Sequence, residues 1–153
     1  MNNIYIMKNN YSNILVFNDK TLKKTTRYLR NANIAGLPTE TVYGLGGNAY
    51  SKSAVQKIFK LKARPKSNPL IVHYHDLNIA MRDIQINRYF LKLYKKLCPG
   101  PITFILKKKK NSKIHPLTSA KLNSIAIRFP KHKVIRSILK NINFPLAMPS
   151  ANK

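Results

Sequence analysis

Four short segments hold the residue types that could do chemistry. The first is Pro38-Thr-Glu-Thr-Val-Tyr-Gly-Leu-Gly-Gly47, with two threonines, one carboxylate and three glycines in ten residues. It follows an apolar run and precedes a helical pattern. Ligands of open α/β sheets bind beyond the carboxyl ends of strands. Its hydroxyls and glycine-freed amides could therefore line a small-molecule pocket, although an ordinary glycine-rich connection has the same composition. No Gly-Lys-Ser/Thr follows, so it is not a P-loop. The second segment is Lys62-Ala-Arg64-Pro-Lys66-Ser-Asn68, with His73 beyond it. Lys62 and Arg64 could clamp a triphosphate, Arg bidentately and Lys as a point charge. They would equally complement a helix C-terminus. His73, in an apolar stretch, reads as a satisfied core histidine.

The third segment is Ser124-Ile-Ala-Ile-Arg128. On a strand, Ser124, Ala126 and Arg128 share one face and Ile125 and Ile127 the other. Arg128 at the strand end suits a carboxylate or phosphate if it faces a pocket, and is a rim arginine if it does not. The fourth, Pro149-Ser-Ala-Asn152, is by itself only a turn with two polar side chains.

Composition narrows the chemistry further. The chain has 153 residues and a formal charge of +25, and its four acids are Asp19, Glu40, Asp76 and Asp83. Paired-carboxylate hydrolysis and two-metal phosphoryl transfer both need clustered acids, so chemistry here must act on anions through cations and amides. The single cysteine, Cys98, excludes an internal disulfide and a cysteine-built zinc site. A net charge of this size invites a nucleic-acid reading. Yet lysines outnumber arginines 22 to 7, and Asn and Ile each occur 17 times, the bias that an A/T-rich coding sequence produces. No apolar run approaches the roughly 20 residues of a membrane span, and Met1 to Asn10 lacks a signal-peptide pattern. The expectation is one soluble, cytoplasmic domain over residues 1–153.

These segments must be positioned by regular elements. Strands are expected at Ile14–Phe17, Ile34–Leu37, Pro69–Tyr74, Ile102–Leu106, Ser124–Phe129 and Pro145–Met148. Helices are expected at Thr21–Arg30, from a capping box Ser53-Ala-Val-Gln56 to Lys62, at Asn78–Asp83, at Asn87–Leu97 and at Lys133–Leu139. Thr39–Gly47 reads as a loop, and Lys107–Lys110 as a solvated one. Alternating strands and helices indicate an α/β fold with a substantially parallel or mixed sheet.

Six pieces, in order, bear a family likeness: Pro-Thr-Glu-Thr-Val-Tyr-Gly-Leu-Gly (38–46), Lys-Ala-Arg-Pro (62–65), Asn-Pro-Leu-Ile-Val-His (68–73), Pro-Gly-Pro-Ile-Thr-Phe-Ile-Leu (99–106), Ile-Ala-Ile-Arg-Phe-Pro (125–130) and Pro-Ser-Ala-Asn (149–152). Together they resemble the YrdC-type domain of threonylcarbamoyl-AMP synthases, from about residue 12 onward and weakly over 1–11. The resemblance implies a single domain with a twisted mixed parallel/antiparallel sheet, flanked by helices around a concave basic groove. It implies synthesis of threonylcarbamoyl-AMP and pyrophosphate from L-threonine, bicarbonate and ATP, for N6-threonylcarbamoyladenosine in tRNA. By position it assigns Thr41, His73 and Arg128 to threonine. It assigns Lys62, Arg64, Asn68, Ser124, Met148 (through its backbone), Ser150 and Asn152 to ATP, with Lys62 and Arg64 in the catalytic role. Mg²⁺ would come with ATP; no protein metal site is implied, and Glu40 would fix its loop rather than touch the metal. tRNA and tRNA-modification proteins are the implied partners, and no membrane.

The sequence stops directly after Pro-Ser-Ala-Asn, where members of this family continue. The expectation that follows is a chain lacking roughly the last fifth of the catalytic domain and weak or inactive by itself. Three alternatives stay open: an RNA-binding module of this fold, an adenylate-forming domain for another acceptor, and an inactive remnant.

Overall fold

The computed structural model describes residues 3–8 and 11–152; residues 1, 2, 9, 10 and 153 lie outside the described residues, including those parts of the weakly matching 1–11 stretch. In chain order the strands are β1 Asn3–Lys8, β2 Tyr11–Val16, β3 Ala35–Leu37, β4 Gly44–Asn48, β5 Val72–His73, β6 Thr103–Lys107, β7 Ser124–Arg128 and β8 Leu146–Ala147. The helices are α1 Asp19–Arg30, α2 Lys52–Leu61, α3 Leu77–Ala80, α4 Arg88–Leu97 and α5 Lys133–Lys140. One eight-stranded sheet runs β2-β1-β3-β4-β8-β5-β7-β6. Among the described residues β5–β7 is the parallel pair and the other pairings are antiparallel. The expected mixed α/β sheet is therefore present.

Local chemistry explains the elements. Asn18 caps α1: its Oδ1 accepts from Thr21 N at 2.9 Å, and Thr21 Oγ1 accepts from Asn18 N at 2.9 Å, a reciprocal capping box. In α5, Val134, Ile135, Ile138 and Leu139 form one buried stripe. They pack with Ile4, Leu29, Leu37, Leu146 and Met148 into one apolar core. A second core gathers Val55, Ile58, Val72, Tyr74, Phe104, Ile125, Ile127 and Phe129. In β7 the isoleucines are buried while Ser124, Ala126 and Arg128 are partly exposed, as the period-two pattern requires.

Several boundaries differ from the sequence reading. The cap of α2 is Ser51, whose Oγ accepts from Ala54 N at 3.3 Å, not Ser53. Pro69–Tyr74 and Pro145–Met148 contain only two-residue strands; the second is held short by Pro145 and Pro149, which cannot donate to a ladder, and in the first Leu70 N turns away to Thr118 O. The helix expected at Asn78–Asp83 is a single turn, α3. A whole strand, β1, escaped notice and pairs with β2 and β3.

The largest revision concerns the glycines. Only residues 39–43 form the expected loop; Gly44-Leu-Gly-Gly47 belongs to a buried strand. These glycines have no positive φ. Their role is close packing. A Cβ on Gly44 would lie 2.4 Å from Met148 Cγ, and one on Gly47 would lie 3.0 Å from Ile34 and 3.2 Å from Ile58.

Candidate functional site

The parallel pair β5–β7 sets His73 and Arg128 in register as neighbours. The chain from Pro38 to Tyr43 supplies the rest of the frame. In the sheet, β4 and β7 are separated by β8 and β5, roughly 14 Å at strand spacing. Yet Glu40 and Thr41, just before β4, touch Arg128 at the end of β7. The 39–43 loop must therefore arch over β8 and β5.

Its anchor is a carboxylate. Arg128 Nη2 donates to Glu40 Oε1 at 2.8 Å and to Thr41 Oγ1 at 3.1 Å. The other oxygen, Glu40 Oε2, accepts from Lys131 N at 3.0 Å and His132 N at 3.2 Å, at the N-terminus of α5, where negative charge is favoured. Burial raises the Glu40 pKa, but the hydrogen bonds from Arg128 and the backbone outweigh it and hold the carboxyl below its ordinary value. Thr39 stiffens the same loop: its Oγ1 donates to Val42 O at 2.6 Å and accepts from Val42 N at 3.2 Å.

Under this arch lies an open cavity of about 250 Å³ lined by Thr39, Thr41, Gly44, Arg64, Ile71, His73, Arg128, Met148 and Ser150, among others. That is below the roughly 300–1,000 Å³ of sites for drug-sized ligands, and suits a ligand of amino-acid size. His73 is 3 % exposed, and its Nδ1 has no hydrogen-bond partner among the described residues. It is thus not the satisfied core histidine that the sequence suggested. Burial first, then the Arg128 charge, bring its pKa down to about 3, so the ring is neutral near pH 7. Arg128 is 12 % exposed on its side chain and its Nε also lacks a partner among the described residues, which removes the rim reading.

Arg64 lines the cavity from the other side. Its Nε donates to Asn68 O at 3.1 Å, and its Nη2 to Asn68 Oδ1 at 2.7 Å and Pro69 O at 3.0 Å. The turn that presents it passes through Ala63 at φ 45°, the left-handed region. Lys62 is the C-cap residue of α2, next to this turn but outside the cavity lining. Ser150 bridges to Gly44, Leu45 N donates to Pro149 O at 2.9 Å, and Ala151 N to Tyr43 O at 2.7 Å. The Pro149–Asn152 turn is thereby stitched to the mouth of the 39–43 loop, and Ser150 Oγ donates to Asn152 Oδ1.

Of the ten residues singled out in the sequence, Thr41, Arg64, His73, Arg128, Met148 and Ser150 line one cavity. Lys62, Asn68 and Asn152 are tied to it through their neighbours. Ser124 stands at the other end of β7, roughly 13 Å along the strand from Arg128, outside this lining. Met148 does more than offer backbone: its N donates to Ile71 O at 2.9 Å, and its thioether fills the space above Gly44. Sequence reasoning missed Thr39, whose short polar side chain two residues before Thr41 was a turn signal.

A family model named Sua5/YciO/YrdC, described as "Telomere recombination", matches residues 27–153. The chain belongs to the Sua5/YciO/YrdC family. It is 38 % identical over 137 residues to a threonylcarbamoyl-AMP synthase of Bacillus subtilis strain 168, covering 88 % of this chain and 39 % of that protein. It is 36 % identical over 127 residues to one of Histophilus somni strain 2336, covering 81 % and 68 %. The structure of P. abyssi Sua5 complexed with L-threonine superposes with a TM-score of 0.85 at 32 % identity, over 90 % of this chain and 40 % of that one. This Sua5/YciO/YrdC chain thus spans about two-fifths of the B. subtilis and P. abyssi relatives and about two-thirds of the H. somni one. Among the described residues no helix is long and apolar enough to cross a membrane.

Proposed function

We propose that this chain carries the threonine pocket and part of the ATP site of a cytoplasmic threonylcarbamoyl-AMP synthase. The reaction joins L-threonine, bicarbonate and ATP into threonylcarbamoyl-AMP and pyrophosphate, for N6-threonylcarbamoyladenosine formation in tRNA. The observation that carries the reading is the convergence of Thr41, His73, Arg128 and Ser150, from four separate segments, on one cavity of amino-acid size.

In this reading Arg128 receives the threonine carboxylate while Glu40 holds its Nη2. The hydroxyl of Thr41 and the neutral ring of His73 hold the amine and side-chain hydroxyl, and Ser150 stands at the ATP side of the same cavity. A neutral imidazole beside Arg128 adds no second positive charge, so it does not oppose the approach of the amine. That amine attacks bicarbonate, water leaves, and a carbamate oxygen attacks the α-phosphorus of ATP with departure of pyrophosphate. Positioning supplies much of the rate. Fixed cations balance the charge that spreads over the phosphates; these are Lys62 and Arg64, the latter held in place by Asn68. ATP exceeds the cavity and extends across its mouth toward Lys62, Asn68 and Asn152. Among the described residues no group of three or more His, Cys, Asp or Glu could hold a metal ion, and both oxygens of Glu40 are engaged. In this reading Mg²⁺ enters with the ATP substrate, held by phosphates and water.

The test is pyrophosphate release from ATP with threonine and bicarbonate each omitted in turn. Dependence on both supports the reading; release that ignores threonine sinks it. A second reading, an RNA-binding module with tRNA and tRNA-modification proteins as partners, is favoured by the +25 charge and predicts RNA binding without threonine-dependent ATP consumption.

A further inference from the structure

A second cleft opens at the opposite ends of β4 and β8. The threonine pocket adjoins Gly44 and Met148; this cleft adjoins Asn48 and Phe144. It measures about 590 Å³ and is lined by Arg82, Lys109, Lys113, Asn48, Asn111 and Asn143, together with Tyr50 and Asp83. Three cations and three amides suit phosphate oxygens, with the cations as charge and the amides as hydrogen-bond donors.

The basic loop beside it is built rather than loose. Asp83, 1 % exposed, is one of only four acids in the chain. Its Oδ2 accepts from Tyr50 OH at 2.7 Å and Tyr74 OH at 3.0 Å; its Oδ1 accepts from Ser112 Oγ at 2.9 Å and Lys113 N at 3.1 Å. Its backbone oxygen accepts from Lys109 N at 2.8 Å. Burial, followed by the nearby carboxylate, pushes both phenols above their ordinary value, which keeps them donors. Lys108 Nζ also reaches Ser119 Oγ at 3.0 Å, and Lys109 Nζ reaches Met81 O at 2.6 Å. Of the expected solvated run Lys107–Lys110, Lys108 and Lys109 are therefore pinned to Ser119 and to the Met81–Asp83 segment, while Lys107 and Lys110 are exposed. Holding like charges together in a fixed loop opposes their repulsion, and the arrangement costs less once an anion lies between them.

We propose that this cleft is a phosphate-backbone site for RNA, lying at the other end of the sheet from the small-molecule pocket. The proposal rests on the second reading above, that the chain binds RNA, whether or not it also consumes ATP, and names the surface that serves it.

The experiment is fluorescence anisotropy with a labelled RNA stem-loop over a salt series. The test variant is Arg82→Glu/Lys109→Glu/Lys113→Glu. The control is Lys92→Glu/Lys95→Glu/Lys96→Glu on α4, with the same change in formal charge. The cleft variant should lose about tenfold or more in affinity beyond the control, and its log K against log salt slope should fall by roughly 2–3, the value for three phosphate contacts. Equal losses in both variants would mean diffuse charge and overturn the proposal. Loss of ATP affinity with RNA binding intact would make the cleft a nucleotide site, and loss of polyglutamate binding alone would assign it to an acidic protein; either outcome overturns the RNA assignment. A wild-type chain that binds no RNA overturns the partnership itself and leaves the pyrophosphate test untouched. Should the charge reversals fail to fold, the three alanine variants carry the same comparison with a smaller expected loss.

Discussion

Glu40 and Arg128, 88 residues apart, meet at 2.8 Å and lock the loop that roofs the cavity to the strand that floors it. Both side chains are mostly shielded, at 17 % and 12 % exposure. The pair works as a strut: one carboxylate oxygen holds the guanidinium, the other holds the first amides of α5.

Glu40→Gln keeps an acceptor for the α5 amides but loses the ion pair. The variant should fold with a stability loss of about 2 kcal/mol, and its threonine affinity by calorimetry should fall several-fold. The folded-state pKa of Glu40 lies below its ordinary 4.5. Its contribution is therefore fully present above about pH 4.5 and fades as pH falls through the folded value. Urea denaturation at stepped pH below 4.5 should show wild type losing more stability than Glu40→Gln. Asp76, shifted the same way, is common to both proteins and cancels.

His73 makes an opposite-charge prediction with the same sign. Its folded pKa of about 3 lies below the unfolded 6.5. Between those values the unfolded chain binds a proton that the native ring refuses, so stability falls as pH drops from 6.5 toward 3. A His73→Gln variant should lose less over that window, and the His73 ring signals in an NMR titration should stay at their neutral positions at pH 5.

Gly44→Ala places a methyl 2.4 Å from Met148 Cγ. Overpacking of this kind costs about 1–3 kcal/mol, read as a lower urea midpoint. Adding Met148→Ala should recover part of that loss. The non-additivity of the cycle would identify the contact as the cause.

Arg64→Lys tests whether geometry or charge matters at the proposed phosphate end of the cavity. Lysine cannot reproduce the planar fork onto Asn68 and Pro69. Pyrophosphate release should fall at least tenfold with little change in stability, whereas a pure charge role would leave activity near wild type.

Asp83→Ala leaves the hydroxyls of Tyr50 and Tyr74 without their acceptor inside the protein. A loss of about 3 kcal/mol is expected. Limited trypsin digestion should then cut near residue 113 faster than in wild type, since the Ser112 and Lys113 N tethers to the carboxylate are gone while those of Lys108 and Lys109 remain.

Sequence alone determined most of the element types, β1 and β4 excepted, and the composition of the site. Period-two alternation in Ser124–Arg128 and the apolar stripe of α5 are local properties, written by side-chain direction, so they were legible. Six motifs in order were enough to name the family. The charge of +25 and the scarcity of acids bounded the chemistry before any fold was known. What the tertiary structure decided depends on who sits opposite whom. The glycines of 44–47 read as a loop because glycine usually signals backbone freedom; only the Met148, Ile34 and Ile58 side chains against them reveal a packing role. His73 read as core because its neighbours in sequence are apolar; the parallel register beside Arg128 makes it a buried wall of a pocket, its Nδ1 without a partner among the described residues. Lys107–Lys110 read as solvated because charge runs usually are, and Lys107 and Lys110 are exposed; Asp83, 24 residues before Lys107, pins Lys109 and the loop that follows it. Such relations are set by strand order and long-range contact, which a local pattern of residue types does not encode.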